Sequence, residues 1–333
     1  MTKQAYGRIA HRHVEVNGVR LHVAEQGEGP LVLLLHGFPE SWYSWRHQVA
    51  PLAEAGYRVV AVDQRGYARS EQPASVDAYT LLHLVGDVTG LIHALGEESA
   101  VLVGHDWGAP VAWTTATLRP DLVRGVAGLS VPPLPTLGPP PLAQGRERYG
   151  DGFYQNYFQR PGVADAELGH DLHATFRRIL RGVSGDRPRG GGAGPRVWVV
   201  REGQTLLESI PEPEKLPHWL SEADVEAFVA DYAEHGERAF TGGLNWYRNI
   251  DRNNELLAGL AGRPVDVPAL YVAGDQDMVT ALIPEEALRR LLERLTPKLY
   301  RRVTLPGVGH WTQQESPAEV NAALLDFLGH LDG

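Results

Sequence analysis

Apolar positions follow two alternating rhythms over the first third of the chain. His13-Val14-Glu15-Val16 and Val19-Arg20-Leu21-His22-Val23 alternate with period two, and Asn17-Gly18 between them predicts a two-residue hairpin turn. Leu31 to Leu35 is unbroken apolar sequence, as a strand covered on both faces is, and it ends at His36-Gly37-Phe38-Pro39. Trp42 to Ala55 then reads as a helix with Trp45, Val49, Leu52 and Ala53 on one stripe. Arg58 to Val62 predicts a strand, Thr80 to Leu95 an amphipathic helix, and Val101 to Val103 another buried strand. Ala109 to Leu118 predicts a helix stopped by Arg119-Pro120, and Gly125 to Leu129 one more strand. Strands alternating with helices imply a mostly parallel, doubly wound sheet.

The rhythm breaks at Val131-Pro132-Pro133-Leu134-Pro135 and Pro139-Pro140-Pro141, where proline can continue neither sheet nor helix. Up to about Arg248 the pattern is helical. Ser221-Glu222-Ala223-Asp224 reads as a capping box, with Val225, Phe228, Val229 and Tyr232 at helical spacing behind it. Gly190 to Gly194 reads as a flexible loop to which no function is assigned. From Val267 the first rhythm returns: Pro268 to Ala273 and Leu299 to Leu305 as strands, Pro284 to Leu295 and Pro317 to Leu328 as helices. The expected organisation is an α/β core in two parts, 1–133 and 251–333, with a helical cap, 134–250, inserted after about the sixth strand.

Bulk properties narrow the possibilities. With 333 residues, 43% of them hydrophobic, the chain can build one sizeable core and an inserted lobe. A net charge of −10 lacks the basic footprint of a nucleic-acid binder. There is no cysteine, hence no disulfide, thiolate metal site or thiol nucleophile. Met1 to Arg8 has no apolar signal-peptide core, and no apolar run approaches the roughly 20 residues of a membrane span, so a cytoplasmic location is expected. His11-Arg12-His13 stands apart from any other cluster of ligands, and no metal site is assigned.

The candidate chemistry centres on Gly104-His105-Asp106-Trp107-Gly108. A strand, a glycine-framed turn and a helix make a nucleophile elbow, with Asp where Ser is familiar. A carboxylate is ionised at neutral pH and needs no base before it attacks. Its natural target is a saturated carbon bearing a leaving group, and the product is an ester of the protein itself. Hydrolysing that ester requires a base for water and a partner to orient the base. Gly307-Val308-Gly309-His310 and Gly274-Asp275-Gln276-Asp277 supply them, each after a strand and in the order nucleophile, acid, His. Asp277 is preferred as the acid, with Asp275 left to the turn. An oxyanion formed on the ester would rest on two backbone N–H groups, those of Trp107 and Phe38. His36 and Pro39 are read as shaping the Phe38 loop. Two tyrosine-centred clusters, Phe153 to Gln159 and Leu244 to Asn249, read on their own as aromatic core.

From about Val14 to Leu328 the chain resembles the soluble-type epoxide hydrolases of the α/β-hydrolase superfamily. The resemblance rests on His36-Gly37-Phe38-Pro39, the Asp elbow, Asp151 to Gln159 with Arg160-Pro161-Gly162-Val163, Asn245-Trp246-Tyr247-Arg248-Asn249, and Gly309-His310-Trp311-Thr312-Gln313. It implies an α/β-hydrolase fold with a helical cap, and a cofactor-independent conversion of an epoxide and water to a vicinal diol. At the matching positions it implies Asp106 as nucleophile, His310 with Asp277 as the water-activating pair, and Tyr154 and Tyr247 as donors to the epoxide oxygen. Tyr157 is left to packing. Trp107, Trp311, Phe38, Met278 and Val279 are candidate pocket walls for an apolar epoxide, taken up by a monomer or homodimer.

The chain departs from the family at Ala68, where relatives often carry Gly, and around the polyglycine loop; the phosphatase-like domain of some animal members is not expected. Two other readings share the features. One is a dehalogenase using the same Asp, with Trp107 gripping halide; the other is a non-catalytic small-molecule receptor on the same fold.

Overall fold

The computed structural model describes residues 9–134, 138–186 and 198–333; the Gly190–Gly194 loop lies outside the described residues. Eight strands form one sheet in the order β1-β2-β4-β3-β5-β6-β7-β8. They are β1 (Ala10–Val16), β2 (Val19–Gln26), β3 (Leu31–Leu35), β4 (Arg58–Val62), β5 (Ala100–His105), β6 (Val123–Leu129), β7 (Ala269–Gly274) and β8 (Leu299–Leu305). β1 and β2 are antiparallel, and β2 meets β4 antiparallel; from β4 to β8 every pairing is parallel. The first hairpin closes as expected, with Val16 opposite Val19 and both Asn17 and Gly18 at positive φ.

The unbroken apolar strands feed two cores. Leu31, Leu33 and Leu35 enter one, together with Leu102, Val126 and Tyr271. Val32 and Leu34 enter the other, with Val101, Val103, Leu270 and Val272. Alternate side chains of a strand face opposite ways, so a strand with no polar position can only sit between two layers. α2 (Leu81–Ala94) and α3 (Gly108–Leu118) cover the first face. α1 (Val49–Glu54) and the last helix, Pro317–Asp332, cover the second.

The helix expected over Trp42–Ala55 is two pieces, a 3₁₀ turn at Trp42–Trp45 and α1. Pro51 is the cause: it has no N–H to bond back, and its ring excludes a helical carbonyl four residues earlier. That carbonyl, of His47, instead accepts from the Asn321 side chain at 2.9 Å.

Between β6 and β7 the described chain is almost entirely helical: α4 (Pro141–Tyr149), α5 (Tyr154–Tyr157), α6 (Val163–His170), α7 (Leu172–Gly182), α8 (Leu206–Ser209), α9 (Glu222–Tyr232), α10 (Thr241–Arg248) and α11 (Ile250–Leu256). After β7 come α12 (Glu285–Leu295), then, past β8, α13 (Thr312–Glu315) and α14 (Pro317–Asp332). The Ser221 hydroxyl accepts from the Asp224 amide while the Asp224 carboxylate accepts from the Ser221 amide, the capping box read from the sequence. Polar bonds tie these helices to the core. Ser41 donates to Asp231 at 2.7 Å, Tyr43 to Asp224 at 3.0 Å, and the Trp246 indole to the Arg65 carbonyl at 3.0 Å. Among the described residues no helix is long and apolar enough to cross a membrane.

At the elbow, helix α3 passes so close to strands β5 and β3 that only glycine fits on either side of Asp106. A Cβ on Gly104 would lie 2.2 Å from the Gly108 carbonyl oxygen, and one on Gly108 would lie 2.0 Å from that of Leu35. Gly108→Ala should therefore cost about 3 kcal/mol or more, read as a lower unfolding midpoint. Gly259→Ala, where nothing lies within 4 Å, should leave the midpoint unchanged.

Candidate active site

Asp106 follows β5 directly, Asp277 lies three residues beyond β7, and His310 five beyond β8. All three strands are parallel and close together in the sheet, so their C-terminal ends present the three side chains at one edge. Asp106 has φ +48, a left-handed conformation that is strained for a side chain bearing Cβ and characteristic of functional sites. The turn lifts its carboxylate above the sheet. Oδ1 accepts from the Phe38 amide at 2.8 Å, and Oδ2 lies 3.3 Å from His310 Nε2. On the far side of the ring, His310 Nδ1 lies 3.0 Å from Asp277 Oδ1, which also accepts from the Val279 amide at 2.9 Å. The expected pairing of acid with base is thus present in space, and Asp277 is completely buried. Asp275 accepts from the Gly307 amide at 2.8 Å within its turn.

The electrostatics of this line of groups are mutual. Burial raises the proton affinity of the Asp106 carboxyl, but the His310 hydrogen bond and charge more than offset it and hold the group below its ordinary value. For His310, burial works against the charged ring, yet Asp277 and Asp106 together lift it well above the ordinary imidazole value. The site therefore sets Asp106, His310 and Asp277 in line, with the two acids favouring the protonated form of the ring between them.

Opposite Asp106 stand Tyr154, the first residue of α5, and Tyr247, on α10, with ring centres 6.0 Å apart. Burial first, then the nearby Asp106 charge, raises both phenols above their ordinary range, which keeps their protons in place to be donated. Gln155 donates to the Tyr154 oxygen at 3.0 Å, and Tyr247 has a hydrogen bond with the Trp107 indole. Tyr157 instead turns aside to donate to Glu167 at 2.6 Å. A cavity of about 310 Å³ lies among these groups, bordered by Asp106, Trp107, Tyr154, Tyr247 and Val279. Phe38, Met278 and Trp311 do not border it: the Trp311 indole donates to the Leu180 carbonyl at 2.7 Å, and all three side chains are buried in the core. Trp107 opens α3, where amide N–H groups have no partner within the helix. His36 shapes the Phe38 loop through bonds to the Gly37 carbonyl and the Gln64 amide. At the hairpin, His11 lies 3.0 Å from His22, and among the described residues no group of His, Asp and Glu could hold a metal ion.

Three further residues join the site that the sequence reading did not single out. His105 places Nδ1 2.8 Å from Glu40 Oε2 and Nε2 2.8 Å from the His310 carbonyl oxygen. The completely buried Glu40 carboxylate also accepts from the Gly37 amide and from the side-chain amides of Gln313 and Gln314. The pair thus links the nucleophile loop, the Phe38 loop and the His310 loop. Ser130, at φ +70 just past β6, sets its Oγ 3.0 Å from His310 Nδ1. Glu40 follows a quoted motif and His105 lies within one; Ser130 has no local sequence signal beyond its place at a strand end.

The chain has relatives among known proteins. Residues 30–317 match the family described as alpha/beta hydrolase fold. The chain is 45% identical to Epoxide hydrolase A of Mycobacterium tuberculosis, over 98% of this chain and 99% of that protein. It is 39% identical to Epoxide hydrolase 3 of Siraitia grosvenorii, over 96% and 98% respectively. Among solved structures, an epoxide hydrolase from an endophytic Streptomyces superposes with a TM-score of 0.90 at 43% identity, covering 98% of this chain and 96% of that one. Epoxide Hydrolase A from Mycobacterium thermoresistibile gives 0.87 at 47% identity, covering 96% and 98%.

Glu40→Ala would strand the His105 ring and two glutamine amides in a dry interior. Leaving buried hydrogen-bond donors without their acceptor costs about 1–3 kcal/mol. Urea unfolding should show a loss of that size, whereas Glu202→Ala on the exposed surface should change stability by less than about 0.5 kcal/mol.

Proposed function

The chain belongs to the α/β-hydrolase fold family, among its epoxide hydrolases, and from that premise we propose that Asp106, His310, Asp277, Tyr154 and Tyr247 carry the conversion of an epoxide and water to a vicinal diol. Asp106 Oδ2 attacks a ring carbon. As that O–C bond forms, the C–O bond of the ring breaks, and its electron pair goes to the epoxide oxygen. An alkoxide is far more basic than a phenolate, so a buried neutral Tyr154 or Tyr247 can supply the proton. The result is a hydroxyalkyl ester of Asp106, with Oδ1 as its carbonyl oxygen.

Ester formation removes one of the two negative charges beside His310. The ring loses a cause of its raised proton affinity, releases its proton towards the tyrosinate, and becomes a base at Nε2. Asp277 holds Nδ1–H and offsets the charge that returns when Nε2 takes a proton from water. The hydroxide attacks the ester carbon, and the oxyanion gathers on Oδ1, where the Phe38 N–H is already aimed and the Trp107 N–H can join it. Collapse breaks the ester C–O bond, and the departing alkoxide takes the proton of the newly added hydroxyl, leaving the diol and the Asp106 carboxylate. The helices of 134–250 act as the cap that brings both phenols over the nucleophile.

The observation that carries this reading is the double hold on one carboxylate: Oδ1 at 2.8 Å from an amide and Oδ2 at 3.3 Å from an imidazole, across a cavity from two phenols. A serine-type hydrolase needs no such phenols, and a receptor needs no base.

His310→Gln should leave ring opening intact and stop the second step. Intact mass after incubation with styrene oxide should rise by the mass of one substrate; no adduct, with turnover abolished, would contradict the two-step scheme. Tyr154→Phe and Tyr247→Phe should each slow ring opening by roughly 10²-fold, a typical contribution of a positioned acid, and the double variant should make no adduct in the same assay.

A further inference from the structure

Tyr154 and Gln155 are neighbours in sequence at the start of α5, yet the ends of their side chains meet. Consecutive residues on a helix point about 100° apart and do not ordinarily face each other. Here Gln155 Nε2 donates to the Tyr154 phenol oxygen at 3.0 Å, and both residues border the cavity together with Asp106.

The direction of that bond suits the charges around it. Burial raises the proton affinity of Tyr154 most, the Gln155 bond lowers it, and the Asp106 and Asp277 carboxylates raise it. The negative charge of Asp106 draws the phenol hydrogen into the cavity, which leaves the oxygen lone pairs for a donor. A glutamine amide offers two N–H bonds on one arm, and that arm is the one at the phenol oxygen. The phenol therefore accepts from Gln155 and keeps its own hydrogen for whatever enters the cavity. The second phenol is served by a different side chain: Tyr247 is lowered by a hydrogen bond with the Trp107 indole, which can only donate. Gln159 Nε2 donates to the Gln155 carbonyl at 2.8 Å and to the Tyr247 carbonyl at 2.9 Å, so α5 and α10, which carry the phenols, are tied to one amide.

We propose that Gln155 is a positioning residue for ring opening that acts through Tyr154: its amide N–H aims the phenol proton into the cavity and then holds the tyrosinate that forms. The proposal rests on the function given above and adds the group that makes this phenol a usable acid. As the bond from Asp106 to carbon forms and the ring C–O bond breaks, the Tyr154 O–H bond breaks too. Its hydrogen goes to the epoxide oxygen, and its electron pair stays on the phenol oxygen. A hydrogen bond to an anion is roughly twice as strong as one between neutral groups, so the Gln155 bond strengthens as the proton leaves. An interaction that is stronger in the transition state than before it raises the rate. The bond returns to its first strength when the tyrosinate recovers a proton in the second step.

The test is single turnover of styrene oxide, quenched and read by intact mass, in the parent and in Gln155→Leu, which is similar in size and has no donor. Ring opening should slow about tenfold at saturating substrate, with the half-saturating concentration and the rate of ester breakdown unchanged. Gln155→Glu has the same shape but, when ionised, can only accept, and it should slow ring opening at least as much. The two phenol variants then show the route. Gln155→Leu should slow ring opening about tenfold further in Tyr247→Phe and no further in Tyr154→Phe. Equal losses in both backgrounds, or Gln155→Glu as fast as the parent, would overturn the role of Gln155 while leaving epoxide hydrolysis standing. Absence of both ester and diol in the parent protein would instead overturn the function, and this proposal with it.

Discussion

The structure depends on keeping a charged carboxylate poised in a dry place. Asp106 is lifted from a sheet edge by a strained turn and stripped of most of its water, which by itself would favour the neutral acid. It stays ionised because an imidazolium and a backbone amide face its two oxygens. That arrangement also makes it reactive, since a carboxylate with few water contacts has little solvent to shed before it bonds to carbon.

The same pair of charges explains how one histidine can be an acid-side partner first and a base afterwards. Before ring opening, His310 lies between two carboxylates and holds its proton strongly. After ring opening one of those carboxylates is an ester, and the ring is left with Asp277 alone. In the proposed reaction the substrate's own bond to Asp106 resets the proton affinity of its neighbour. The supporting architecture serves this alignment. Gly104 permits the close approach of β5 to α3 and Gly108 that of α3 to β3, and the Glu40–His105 pair ties the Phe38 loop to the carbonyl of His310. Ser130, held at a positive φ, closes on the same imidazole from β6.

Much of this was legible from residue order because it is local. The Asn17-Gly18 turn, the unbroken strand at Leu31–Leu35 and the elbow glycines each impose their geometry within a few residues. The family resemblance added the two cap tyrosines, which composition and spacing alone left as aromatic core. What stayed hidden is what depends on distant partners. Glu40 and His105 are 65 residues apart, and neither signals its buried bond to the other. The continuous helix read over Trp42–Ala55 failed at Pro51, whose steric demand outweighed an apolar stripe that looked helical. Trp311 was a reasonable pocket wall by its place next to His310, but adjacent residues on a loop face different ways, and its indole is committed to the Leu180 carbonyl.

In the proposed reaction the protein, not water, makes the first bond to the substrate. A single turnover in water enriched in heavy oxygen, with enzyme in excess over styrene oxide, tests it most directly. The account predicts an unlabelled first diol and one heavy oxygen in the peptide containing Asp106. A first diol already carrying the label, with Asp106 unlabelled, would contradict it.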